Sequence, residues 1–593
     1  MKGDVYILFM EKSSNLLSVD GYSGFIIQNK FMRAAYGEKL REELSNNNRL
    51  LRIVDLHDSP VFDISAYPSI IIRQNKTPSD DHEISWIDIK SNTKSQTESK
   101  LQKGGVERQI RQSDLGGEFW HSFAGENSFE AETVELSNLC RQIGKGAVSG
   151  NTSVYLVSDT EIEEYDLEEE YILSVLRGGD VVRYEIEPEE NLSNLIYPYS
   201  VVDGEPDLAD PDQIPNIISY LEESRDELET RKNYGERLID QGYEWYELTY
   251  NAPGMLNEKI VFPDISPENR FAHDENGEFA CLDTVYYLVR ETVDDGFHSD
   301  FLTAVLNSQL MNSIFENISP KVRGGYKRYK TQYVESLPIP TTREIENTSG
   351  DLIYNITSEF ANNVVESEIS GTDDPHDALV RFSTLMKELK SQKRLLNISI
   401  LDHIGSSYER QPITDVGLTQ PPRNAANSKL QYTSKQHPNL RVGSTRVDRE
   451  SPNTVLIKAT ARYKPDDEDA YDTDQWGYTE TDYLPAFRIT DLTKTEADLI
   501  EHFVPVAVDK AGGFVNFRET ATKTNSLVDR LKAIELPDVD DVADDLENYL
   551  ETVERAEELD EKIEETDDLI DEIVYELYGL TDEETKIVEE AVS

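Results

Sequence analysis

At 593 residues the chain is several times longer than one compact domain, so roughly three to four units, each with its own core, are expected. Its 58 Lys and Arg against 116 Asp and Glu give a formal charge of −58 spread through every segment, the pattern of a salt-adapted proteome in which molar salt cuts the Debye length to about 3 Å; charge alone therefore excludes no partner, and local departures from the acidic background carry the signal. Two cysteines, Cys140 and Cys281, exclude a disulfide framework, and the lack of an apolar run of ~18 to 20 residues or a secretory leader predicts a cytoplasmic protein without a membrane partner.

Met1 to Leu17 reads as a helix. Residues 22–76 follow as strand, helix, strand, loop, strand: the apolar run Gly24–Ile27, the amphipathic stretch Phe31–Leu44, then Leu50–Asp55 and Ser69–Ile72. Short β-branched runs alternating with a helix predict an α/β sheet covered on its faces, here opening mid-fold, with its first strands supplied from elsewhere. This block is taken as 1–90. Residues 77–115 are rich in Ser, Gln, Asn and Lys and read as a linker or long edge loop, the linker proper being drawn at 91–115. A second α/β or β-rich unit spans 116–345, with strands at Val154–Val157 and Lys259–Phe262 and helices at Ile217–Lys232 and Asp300–Glu316. Residues 346–405 read as helical, 406–450 as a linker or basic arm around Gln420-Pro421-Pro422-Arg423, and 451–535 as mixed α/β. The last region, 536–593, carries a long helix: after Pro537 and Asp538, Leu546, Leu550, Val553, Leu559, Ile563, Ile570, Ile573 and Leu577 recur at three- and four-residue steps up to Gly579. A helical hairpin on the preceding domain and an intermolecular coiled coil both fit, with Ala556 and Thr566 weakening a coiled-coil seam.

No Gly-x-Gly-x-x-Gly, phosphate loop or His-Glu-x-x-His is present, the nine His are scattered, and Pro263-Asp264 is not followed by the Asp/Glu-x-Lys that a metal-dependent nuclease needs. The strongest local signal is Lys321-Val322-Arg323-Gly324-Gly325-Tyr326-Lys327-Arg328-Tyr329-Lys330, where half of ten residues are cationic and none acidic. Paired glycines let a backbone approach closely, cations neutralise phosphates, and tyrosines stack or hydrogen-bond, so the segment has the chemistry of a nucleic-acid loop. A solvated basic turn pairing with an acidic surface has the same composition. A weaker basic arm of Arg423, Lys429, Lys435, Arg441, Arg446 and Arg449 fits either DNA backbone contact or an unstructured linker.

Met1-Lys2-Gly3-Asp4-Val5-Tyr6-Ile7-Leu8-Phe9, Gly24 to Arg41 (GFIIQNKFMRAAYGEKLR), Val54-Asp55 and Pro60-Val61-Phe62 resemble, in order, the later motifs of adenine-N6 DNA methyltransferases with the Asn-Pro-Pro-Tyr signature, closest to the combined restriction-modification (type IIG) enzymes and related phage-defence methyltransferases. The second unit resembles their TaqI-like C-terminal specificity domain through Gly150-Asn151, Leu176-Arg177-Gly178-Gly179-Asp180-Val181-Val182-Arg183-Tyr184, Ile196 to Tyr199, Trp245 to Leu248, Lys259 to Pro263, Leu306-Asn307-Ser308 and Leu337 to Pro340. Ile573 to Thr581 is similar to the terminal helix of such proteins.

The resemblance implies an α/β fold: a partial Rossmann-like methyltransferase sheet, a mixed α/β target-recognition domain, and a helical C-terminal region. It implies double-stranded DNA as partner, with Lys321, Arg323, Gly324, Gly325, Tyr326, Lys327, Arg328, Tyr329, Lys330, Asn151 and Arg177 as contacts. A flipped adenine would stack on Tyr36, with Phe31 second, although either fits an ordinary core aromatic. S-adenosylmethionine is expected for the complete enzyme, but the Gly-containing donor loop and the Asn/Asp-Pro-Pro-Tyr/Phe loop do not occur in these residues and no metal is implied. The expectation is the DNA-recognition part of a site-specific adenine-N6 DNA methyltransferase, inactive alone, whose front half a disrupted gene, a late predicted start or separate encoding would each leave outside these residues. A non-catalytic specificity subunit of a defence complex is the alternative.

Overall fold

The β-branched runs near the N-terminus become the centre of a five-stranded sheet. The computed structural model describes residues 5–33, 37–56, 59, 61–62, 67–89, 91, 94–104, 106–117, 120, 131–187, 194–202, 205–233, 235–291, 297–319, 325–348, 350–363, 372–422, 428–433, 435, 437, 439–465, 473–474, 476–510 and 525–592. Two units are formed, residues 1–390 with 563–593, and residues 391–562.

In the first unit, helix α1 (Val5–Leu16) precedes strand β1 (Tyr22–Gln28), helix α2 (Glu38–Asn47), and strands β2 (Arg49–Asp55), β3 (Pro68–Gln74) and β4 (Glu83–Asp88); helix α3 (Lys94–Lys103) then leads to strand β5 (Val106–Arg111). The sheet order is β1-β3-β2-β4-β5, with β2 and β4 parallel and the other neighbours antiparallel. β2 and β3 bury most of their length, whereas β1 alternates exposed and half-buried positions as an edge strand does. Met10, Phe31, Leu40, Leu44, Ile53, Ile71, Trp86 and Trp120 form the core on one face.

The linker expected at 91–115 is a correction: α3 and β5 occupy it, and β5 closes the sheet against β4. Its polar composition reflects an edge strand that buries Ile110 and little else, a period-2 pattern too polar to read as a strand. Gln112, buried in this stretch, receives the Leu50 N–H (2.8 Å) and donates to the carbonyls of Ser45 (2.8 Å) and Asn48 (2.6 Å), satisfying the last carbonyls of α2.

The middle of this unit holds two four-stranded sheets. β6 (Cys140–Lys145), β10 (Lys259–Pro263), β12 (Ala272–Asp274) and β14 (Val285–Arg290) pair antiparallel in the order β12-β10-β14-β6; β7 (Leu156–Val157), β8 (Ile172–Leu176), β9 (Asn194–Ile196) and β13 (Ala280–Cys281) follow the order β13-β8-β9-β7. Every residue of β10 is buried. The strand expected at Val154–Val157 is a helical turn, Thr152–Tyr155, before β7, and the helix expected at Ile217–Lys232 is two shorter ones, Pro215–Glu222 and Arg225–Leu228. Helices α4 (Ser299–Asn307) and α5 (Gln309–Ile318) break at Ser308, whose hydroxyl accepts from the Met311 N–H (3.2 Å) and caps α5. Helices α6 (Gly350–Asn363) and α7 (Pro375–Leu395) follow.

In the second unit β16 (Leu418–Gln420), β17 (Arg441–Ser451), β18 (Thr454–Tyr463) and β19 (Leu484–Thr490) pair antiparallel as β16-β19-β18-β17, backed by helix α8 (Lys494–Lys510). The linker or arm expected at 406–450 is thus a second correction, since β16 and most of β17 lie in it. Its cations serve the fold: Arg449 is held by Glu501 (2.7 Å) and Asp498 (2.5 Å) of α8, and Arg446 by Asp448 (2.8 Å). Arg423 lies outside the described residues. The chain ends in helix α9 (Val539–Leu577) and helix α10 (Asp582–Val592), turning at Gly579 with φ +64. Ala556 and Thr566, the expected weak points of a coiled-coil seam, are buried.

Candidate nucleic-acid interface

The Gly-Gly turn after β8 is closed by its own aspartate: Asp180 accepts the Arg177 N–H on Oδ2 (2.6 Å), and the Asp180 N–H returns to the Arg177 carbonyl (3.0 Å). The Gly178 N–H donates to Thr284 Oγ1 (3.2 Å), and a Cβ at Gly178 would stand 3.3 Å from the Thr284 carbonyl, so the turn lies flat against the loop before β14. The Thr284 carbonyl accepts the Asp264 N–H (2.8 Å). Asp264 in turn holds Arg328 through both oxygens (3.2 and 2.6 Å), and its carbonyl accepts the Tyr329 N–H (2.7 Å). Strand β11 (Ile265–Ser266) pairs with strand β15 (Lys327–Arg328). One short chain of contacts thus joins the Arg177 turn to the basic segment, two sequence signals some 150 residues apart.

Solvent meets Arg177, Gly179, Tyr326 (43 % exposed), Lys330 and half-exposed Ile265 on this surface. Gly325 adopts φ +81, with nothing within 4 Å of where a Cβ would stand. Two expected contacts are corrected. Lys327 is buried, its Nζ donating to Asn312 Oδ1 (2.7 Å) beside Glu316 (3.7 Å), and Tyr329 is buried, donating to Asn269 Oδ1 (2.8 Å) and stacked on Phe315 at 4.2 Å between centroids. Burial pushes the Tyr329 phenol well above its ordinary value. In an acidic protein these groups are consumed by the fold, and Arg328 is largely committed to Asp264. Lys321, Arg323 and Gly324 lie outside the described residues. Asn151 donates to Glu227 (3.1 Å) and accepts from the Ser153 hydroxyl (2.9 Å), away from either loop.

The stacking pair is also revised. Phe31 has no exposed surface, packs edge-on to Trp120 at 5.9 Å and gives its carbonyl to Arg41 (2.6 Å), so it cannot receive a base; Tyr36 lies outside the described residues.

The floor beneath the surface escaped the sequence reading. Asn269 donates to the Leu306 carbonyl (2.7 Å) and its N–H meets Asn312 (3.1 Å); Asn307 brackets the Phe271 backbone, accepting its N–H (2.9 Å) and donating to its carbonyl (2.8 Å). Only Leu306-Asn307-Ser308, quoted for its resemblance, hinted at it. A second buried cluster ties α4 to β12 and α7: Asp300 Oδ1 faces His273 Nδ1 (3.0 Å) and Lys387 Nζ (2.7 Å), and His273 Nε2 faces Glu258 Oε1 (3.1 Å). Burial would raise the Asp300 carboxyl, but His273 and Lys387 outweigh it and hold it at about 2. Among the described residues no group of three or more His, Cys, Asp or Glu is arranged to hold a metal ion, and no helix is long and apolar enough to cross a membrane.

The region containing both loops, residues 173–339, matches the TaqI-like C-terminal specificity domain. Residues 1–62 match the Eco57I restriction-modification methylase family. Curated relatives include the type II methyltransferases M.BstVI of Geobacillus stearothermophilus (24 % identical, covering 58 % of this chain and 63 % of the relative) and M.PaeR7I of Pseudomonas aeruginosa (25 %, covering 58 % and 60 %). The restriction enzyme and methyltransferase RM.Eco57I of Escherichia coli is 22 % identical, covering 57 % and 36 %. The chain therefore spans about three-fifths of the length of the first two, and its relationship to restriction-modification methyltransferases, expected from sequence, is borne out. Among solved structures, the type IIL enzyme MmeI in complex with DNA aligns over 65 % of this chain and 48 % of its own at 11 % identity and a TM-score of 0.39, a similarity too low to carry any argument. The matched region sits in a mixed helix-and-strand molecule, as expected in outline.

Proposed function

We propose that the specificity domain binds double-stranded DNA on the surface formed by the Arg177–Gly179 turn and the Gly325–Lys330 segment, as the recognition part of a site-specific adenine-N6 DNA methyltransferase of a restriction-modification or phage-defence system. The observation that carries this reading is the joining of the two glycine-bearing cationic segments through Asp264 and Thr284, inside a matched specificity domain. On this reading Arg177 and Lys330 neutralise phosphates, Tyr326 offers an aromatic face, and Gly179 and Gly325 admit the duplex closely. Arg328, fixed by Asp264, shapes the site.

The methyltransferase relatives imply S-adenosylmethionine in the complete enzyme. These residues do not fit it. No donor loop or Asn-Pro-Pro-Tyr occurs in the sequence, and the segment after β1 is closed by a buried Asn29 to Asp55 hydrogen bond (2.9 Å) instead of a glycine cradle. The proposal accordingly assigns the first sheet to the rear of a Rossmann-like methyltransferase domain whose donor-binding part lies outside these residues. A non-catalytic specificity subunit is the second reading, favoured by the same missing motifs. The two separate in one assay: this chain mixed with such a front half, a duplex and radiolabelled S-adenosylmethionine. Label appearing at adenine N6 only when both polypeptides are present supports the first reading. Duplex binding without any label supports the second, and no duplex binding contradicts both.

A further inference from the structure

The specificity domain rests on a helix that neither matched segment includes. The turn closed by Asp180 continues into residues 181–187, held as a loop by the Val181 to Ile186 bridge and by the Glu187 N–H on the Asp180 carbonyl (2.8 Å). At its tip Arg183 reaches the second half of α9 and grips Asp567 through both oxygens (2.7 and 2.8 Å), and it also donates to the Asn307 carbonyl (2.8 Å). Next to it Tyr184, fully buried at φ +68, donates its N–H to the Phe271 carbonyl (3.0 Å) and points its hydroxyl at Asp567 (3.5 Å). A non-glycine residue held in the left-handed region implies that its surroundings over-determine it. One helical turn farther along α9, Asp571 accepts the first N–H of α5, that of Gln309, at 2.7 Å.

Asn307 and Gln309 flank the Ser308 break that floors the site. The floor reaches the basic segment as well, through Asn269 to Tyr329 and Asn312 to Lys327. Two carboxylates four residues apart on α9 therefore fasten both recognition segments to one scaffold, across 384 and 262 residues of sequence. We infer that Asp567 and Arg183 are positioning residues for DNA discrimination: the C-terminal helix sets the geometry of the Arg177 turn relative to the Gly325–Lys330 segment, and so sets which sequences the domain prefers. This rests on the DNA-binding reading above.

The test is selection from a random duplex pool by the full-length chain, followed by titration of the selected duplex and of random duplex with wild type, Asp567→Asn and Arg183→Lys. The wild type is expected to prefer its selected sequence. Asp567→Asn should lower that preference about tenfold, equivalent to 1.4 kcal/mol, and Arg183→Lys, which keeps the charge but not the bidentate grip, about threefold, while binding of random duplex stays within about twofold. Asp567→Glu should recover part of the preference. Should Asp567→Asn not fold, Arg183→Lys alone decides. A lowered melting temperature with unchanged preference would make the contact merely structural and overturn the inference while leaving DNA recognition standing. A wild-type chain that binds no duplex overturns both.

Discussion

Asp571 is a carboxylate moved far from the ordinary chemistry of its type. Burial is the main cause, the Asp567 charge adds to it, and the Gln309 N–H and Arg183 only partly oppose, so its carboxyl is pushed up to about 7 from 3.8. Asp568 on its own helix also faces it, as does the Tyr575 phenol, itself pushed up by burial and near Glu589 of α10, while Oδ2 has no partner among the described residues. A raised folded-state carboxyl contributes stability that is complete below about 4 and is lost as pH rises through about 7. Asp571→Asn keeps an oxygen for Gln309 and should melt at least ~2 °C higher than wild type at pH 8, with the gap narrowing below pH 7 and closing by about pH 4. A lower melting temperature at pH 8 would contradict this placement. Asp300 has the opposite sign. Held at about 2 by His273 and Lys387, it contributes stability above about 4 that is lost as pH falls toward 2. Asp300→Asn should cost on the order of 3 kcal/mol at pH 7 in chemical denaturation, and that difference should shrink as the pH is lowered. Among the basic residues, Lys327→Ala should destabilise by on the order of 2 kcal/mol because Asn312 and Glu316 lose a buried partner, whereas Lys330→Ala, on the surface, should leave the melting temperature unchanged and weaken DNA binding.

At the scale of elements, the apolar β-branched runs were legible because burial on both faces leaves a continuous hydrophobic signature, as in β2, β3 and β10. α9 was legible through its three- and four-residue spacing, whereas the single helix expected over Asp300–Glu316 is broken at Ser308 into α4 and α5. What escaped were strands whose outward face is polar. β5 and β17 each look like linker because an acidic surface draws Arg and Lys into strands, where partners such as Glu501 and Asp498 neutralise them. Gln112 gives a direct check on the first of these. Gln112→Ala strips three backbone partners from the junction of α2 and β2 and should cost on the order of 2 kcal/mol, whereas a true linker position would tolerate it. The candidate site was half legible for a related reason. Composition and resemblance found the Arg177 turn and the basic segment, but no sequence pattern tells which cations a carboxylate will claim, so Lys327 and Arg328 turned out to be committed to Asn312, Glu316 and Asp264.

Over the whole molecule, a charge of −58 makes any DNA-binding surface a local exception, and among the described residues the surface proposed here is small: Arg177 and Lys330, with Tyr326 next to Gly325. A handful of phosphate contacts gives an affinity that falls steeply with salt yet loses only about one phosphate's worth of slope per cation removed. The account therefore turns on one titration: the dissociation constant of the full chain for a mixed-sequence duplex from 0.1 to 1 M KCl, for wild type, Arg177→Ala, Lys330→Ala and the double variant. Folding is to be verified by melting temperature at each salt. The account predicts a falling log–log line whose slope shrinks by about one for each single substitution and about two for the double, with melting temperatures unmoved. Lines that superimpose for all four proteins, or no duplex binding at any salt, would contradict it.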